Sequence, residues 1–179
     1  MHIGRMIAAG VIGGLAMEAY SLVAWLVLPY NAAFFQKIPV SPQLQQIFFE
    51  SAPDLRDGMW TFGDMGAKDP GGLVFLYLSG IPSPAWNFVG GTLVCLFTGL
   101  AVSWIYATTA AIWAPSPKKG VLFVLALGAV AAIPAQFRLA IFVGHPIPFS
   151  LAMAADTLIE FFLLGLVLAW WHRPARATG

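Results

Sequence analysis

The stretch Ala154–Trp171, AADTLIEFFLLGLVLAWW, decides the fold. Its apolar run suits a helix that crosses a bilayer, which needs about 20 such residues. Yet it carries Asp156 and Glu160, four residues apart and therefore on one helical face. A charged side chain in hydrocarbon costs at least ~2.5–3.5 kcal/mol. Two carboxylates in such a segment call for partners inside the protein or for a function.

Three more segments of comparable character lie upstream. The four spans read from hydropathy are Gly4–Leu28, Trp86–Trp113, Val121–Val143 and Phe149–Trp171. Of the 179 residues, 59% are hydrophobic and 9% charged, with a mean hydropathy of +0.80. A soluble domain carries roughly 25% charged residues. The expected fold is an all-α integral membrane protein with four transmembrane helices. Residues 1–29 would hold the first helix, 30–84 an outer segment, and 85–179 the other three helices with a short tail. Arg5 precedes an apolar run from Met6 to Pro29. That run exceeds the ~7–15 apolar residues of a cleaved leader and reads as a retained anchor.

The linkers APSPKKG (Ala114–Gly120) and GHPIP (Gly144–Pro148) read as Pro-rich turns, making spans two to four antiparallel neighbours. Basic residues set the orientation. Arg5, Lys118, Lys119, Arg173 and Arg176 share one side, whereas residues 30–84 mix three basic residues with five acids. The positive-inside rule places both termini in the cytoplasm of a bacterial inner membrane. Within the outer segment, Ser41-Pro42 is a helix-start pair, followed by a short amphipathic helix through Leu44, Ile47 and Phe48. MWTF and LVFLYLS, either side of the turn-rich GDMGAKDPGG, suggest a β-hairpin.

Candidate chemistry centres on an intramembrane polar cluster: Glu18, Gln136, Arg138, Asp156 and Glu160. With GHPIP as a hinge, helical rise puts Arg138 level with Asp156, so a salt bridge between them is expected, clasping span three to span four. Glu18 and Glu160 fall at similar depth. Each reads either as a proton- or cation-handling acid or as a structural group, with Thr92, Thr98 or a backbone carbonyl serving Glu18. Pro134 frees the carbonyl of Val130, giving a bend or an exposed acceptor. His145, in the outer turn, is a possible ligand, and more simply an interfacial residue. No two histidines share a helix face, and Cys95 is the single cysteine, so no metal, haem or iron–sulfur cofactor is expected. Gly10, Gly13 and Gly14, and Gly90, Gly91 and Gly99, suit close packing between helices or with another subunit.

Nothing matches a Walker loop, nucleophile elbow, metalloprotease helix or dinucleotide fingerprint, so an enzyme is not expected. A net charge of +1 gives no basis for nucleic-acid binding. The expected partners are the lipid bilayer and other membrane protein subunits. The contact residues would be Phe48, Phe49, Trp60, Phe62, Phe75 and Tyr77, near the short apolar run Leu73–Leu78. The leading functional expectation is a small accessory, structural or assembly subunit of a larger membrane complex. The alternative is a proton- or cation-coupled carrier or small-ligand binder using the intramembrane acids.

The end of the first span, Trp25 to Tyr30 (WLVLPY), resembles the W-x-x-L-P motif of uncharacterised four-span bacterial inner-membrane proteins. That resemblance implies a first span, a periplasmic segment with short strands, and three further spans. It implies no activity.

Overall fold

A computed structural model describes residues 3–27, 50, 58–62, 72–76, 84–110, 116–143 and 146–172. The chain divides into two units, residues 1–29 with 85–179, and residues 30–84. The first unit contains helices α1 (Ile3–Val27), α2 (Pro84–Thr108), α3 (Pro117–Arg138) and α4 (Ile147–Trp171). A π-helical turn, Leu139–Val143, extends α3. All four helices are long and apolar enough to cross a membrane, the arrangement of a multi-pass membrane protein. The large apolar side chains left outside, among them Leu26, Phe97, Val130 and Ile141, suit a hydrocarbon surround.

The second unit contains strands β1 (Gly58–Phe62) and β2 (Gly72–Leu76), paired antiparallel. Trp60 lies opposite Val74, and Met59 opposite Phe75. The amphipathic helix expected from Ser41 lies outside the described residues, apart from the helical Glu50.

Two helices begin inside stretches read from sequence as turns. α3 starts at Pro117, after Ser116 at its N-cap with extended backbone (φ −137°, ψ 104°). α4 starts at Ile147, with Pro148 in its first turn. Proline lacks the N–H that a first-turn residue leaves unbonded anyway, and its fixed φ fits the helix. Here proline opens both helices, where the sequence alone predicts turns.

α4 packs against both α1 and α3. Leu164 of α4 fills the gap beside Gly13 of α1, and Phe161 fills the gap beside Gly128 of α3. These two side chains, with Ala9, Met17, Cys95, Val102, Tyr106, Val124 and Leu168, form the apolar core.

α1 and α2 meet backbone to backbone. A Cβ placed on Gly14 would lie 2.6 Å from the Cys95 carbonyl oxygen, and one on Gly10 would lie 2.9 Å from the Leu100 Cα. From the other side, a Cβ on Gly99 would run into the Gly10 carbonyl oxygen and lie 2.7 Å from the Gly14 nitrogen. The buried Ser103 adds a bond from its Oγ to the Met6 carbonyl at 2.8 Å. Small residues bring helices this close where lipid supplies no hydrophobic drive.

Candidate functional site

Polar residues at helical spacing on three helices form one cluster. α1 brings Glu18 with Tyr20 and Ser21, α2 brings Thr92 and Cys95, and α4 brings Asp156 and Glu160. Glu18 and Asp156 are buried, each 7% exposed, and Glu160 is half-buried.

Thr92 Oγ1 donates to Glu18 Oε1 at 3.1 Å. The same oxygen lies 2.9 Å from the Phe88 carbonyl, one turn back on α2. The Cys95 thiol donates to Glu18 as well, and a Cβ on Gly91 would stand in ordinary van der Waals contact with the carboxylate, 3.5 Å from Oε2. Thr92 and Cys95, three residues apart, share the α2 face that meets Glu18. On α4, the Tyr20 hydroxyl donates to Asp156 Oδ1 at 2.9 Å. The Ser21 hydroxyl bonds to Glu160, which lies within electrostatic reach of both Asp156 and Glu18. Two α1 side chains therefore hold the two α4 acids, and two α2 side chains hold the α1 acid.

Asp156 takes its described bond from Tyr20 and not from Arg138, which is exposed. The expected clasp is not among the bonds described for Asp156, and the local geometry gives a reason. The π-helical turn Leu139–Val143 lies between Arg138 and the hinge. Such a turn adds one residue to the helical register and rotates what precedes it by about 100°. Arg138 also sits near Ile141, where the apolar span ends, and a long cationic side chain there reaches the interface. Arg138→Ala is accordingly expected to leave thermal stability within ~0.5 kcal/mol of the parent, the usual range for an exposed position. A large loss of melting temperature would reinstate the clasp.

Tyr20→Phe is expected to destabilise by about 1–3 kcal/mol, because it removes a donor from a buried carboxylate. Tyr20→Phe combined with Asp156→Asn should cost less than the sum of the two single changes, and reversible unfolding in detergent would measure this. Equal, additive losses would show that the pair does not interact.

Gln136 is half-buried on α3. Trp60 and Phe62 lie on β1, and Phe75 on β2, whereas Phe48, Phe49, Tyr77 and His145 lie outside the described residues. The sequence reading missed Tyr20, Ser21 and Cys95. The pairs 18/21 and 92/95 repeat the one-turn polar spacing of 156/160, which was the available signal for Ser21 and Cys95, whereas Tyr20 carried none. Among the described residues, no three His, Cys, Asp or Glu side chains are arranged to hold a metal ion. No protein-family model, no curated protein and no solved structure matches this chain.

Proposed function

We propose that this chain is a four-span protein of a bacterial cytoplasmic membrane that handles protons through Glu18 and Glu160. One observation carries the reading. Thr92 Oγ1 is within hydrogen-bond distance of both Glu18 Oε1 (3.1 Å) and the Phe88 carbonyl (2.9 Å), yet a hydroxyl has a single hydrogen to give. When Glu18 is ionised, that hydrogen points to the carboxylate. When Glu18 carries a proton, Glu18 donates to Thr92, and Thr92 turns its hydrogen to Phe88. Rotation of one hydroxyl keeps the groups bonded in either charge state.

Glu160 lies on a different helix within electrostatic reach of Glu18, so the charge on one acid is felt by the other. The absence of any catalytic motif in the sequence agrees with a non-enzymatic role. Arg5, Lys118, Lys119, Arg173 and Arg176 favour cytoplasmic termini. The test is proton flux into liposomes carrying the purified protein under a pH gradient. Glu160→Gln should bring the flux down to the leak of protein-free vesicles, and unchanged flux would overturn the reading.

A second reading is a small subunit of a larger membrane complex. The strand sequences GMWTF and GLVFL support it. Both runs are largely apolar in sequence, and two strands alone are marginal without a cover. Trp60, Phe62 and Phe75, with Phe48, Phe49 and Tyr77, would supply the contact. Gentle purification distinguishes the two readings, since a homo-oligomer that conducts protons without partners would exclude the subunit role.

A further inference from the structure

One end of the four-helix unit holds a second titratable group, unconnected with the acids. His172 closes α4, its N–H bonded to the Leu168 carbonyl at 3.0 Å. Its ring leans on Tyr106 of α2, with centroids 5.6 Å apart and planes tilted by 34°. Tyr106 in turn fills the space at Gly120, in the first turn of α3. From α1, the Arg5 guanidinium donates to the Trp171 carbonyl, next to His172. His172 therefore sits where the ends of all four helices converge. Among the described residues its buried Nε2 has no hydrogen-bond partner.

That geometry suits a neutral imidazole only. A proton on Nε2 would find no acceptor among the described residues, and the new cation would lie beside Arg5. The free carbonyls at a helix C-terminus attract cations, but Arg5 already occupies the one on Trp171. The groups facing His172 are Arg5 from α1 and Tyr106 from α2. Lys118 and Lys119, in the first turn of α3, are exposed, and Arg173 follows in the sequence. None of these is an acid that would welcome the charge.

We propose that this end of the bundle is a pH-sensitive latch, closed by neutral His172 and released when His172 takes up a proton. Burial, and then the Arg5 charge, hold the imidazole below its usual 6.5. The opened end binds the proton more tightly than the closed one. The latch is therefore fully closed above about pH 6.5 and loosens as pH falls below it. The inference is independent of the carboxylate site, and loss of proton flux in acid variants leaves it untouched.

The experiment is amide hydrogen exchange on the purified protein in micelles from pH 5 to 8, with rates corrected for the intrinsic effect of pH. Protection of the last α4 turn, Leu168 to His172, should fall at least tenfold between pH 7.5 and 5. His172→Gln should abolish that fall. His172→Phe, which keeps a ring against Tyr106, serves the same purpose if the first variant does not fold. Arg5→Gln should move the midpoint upward. Protection that does not change with pH in the parent, or a fall that persists in both His172 variants, would overturn the latch.

Discussion

Gly99→Val is expected to lower stability by about 3 kcal/mol, the upper end of the range for overpacking. The size follows from what the new side chain would meet. Overpacking is mild when the neighbour is the free end of a flexible chain. At Gly99 the neighbours are backbone atoms, the Gly10 carbonyl oxygen together with the Gly14 nitrogen and Cα, the latter 2.9 Å from a Cβ. Neither helix has a rotamer with which to yield, so α1 and α2 must separate. Separation stretches the Ser103–Met6 bond and pulls Thr92 away from Glu18. Gly90→Val is the control. It lies on the same helix with nothing within 4 Å of its added Cβ, and valine is a better helix former than glycine. Reversible unfolding in mixed micelles should show a large loss for the first variant and none for the second. Equal stability of the two would mean that the backbone seam does not hold the helices together.

Glu18→Gln is expected to reduce proton flux at least tenfold while leaving the fold intact. Glutamine keeps the shape of the side chain and an oxygen to accept from Thr92, but it does not titrate. Glu18→Ala removes the acceptor as well, so Thr92 and Cys95 both lose a partner. That variant should lose about 1–3 kcal/mol of stability in addition to the flux. Thr92→Val and Thr92→Ser extend the test. Valine removes the hydroxyl and should impair flux, whereas serine retains a rotatable O–H and should restore most of it. If Glu18→Gln conducts like the parent, Glu18 carries no protons. If Thr92→Val does, the hydroxyl rotation is irrelevant to the path.

The four spans were legible because length and apolar content alone define them. Their ends were less so. Proline carries opposite meanings at the two ends of a helix, and only the chain direction around Pro117 and Pro148 distinguishes a start from a stop. The π-helical turn at Leu139–Val143 has no residue signature in LAIFV, so depth arithmetic through that point could not keep the phase of Arg138. In the site, Glu18, Asp156 and Glu160 stood out as acids in apolar runs. Their neighbours did not, since serine, threonine, tyrosine and cysteine are ordinary in a membrane helix. Which polar row meets which depends on side-chain packing, such as Leu164 beside Gly13, and a one-dimensional pattern does not encode that.

The glycine seam also bears on motion. Where backbones touch, sliding requires atoms to climb over one another, so α1 and α2 translate and tilt as a single lever. The distance from Glu18 to Thr92 is then fixed by that seam. α4 meets α1 through side chains, the interlocking Leu164 and the Tyr20–Asp156 bond, and side chains have rotamers where backbone has none. Any adjustment between Glu18 and Glu160 therefore falls at this side-chain contact and not at the seam.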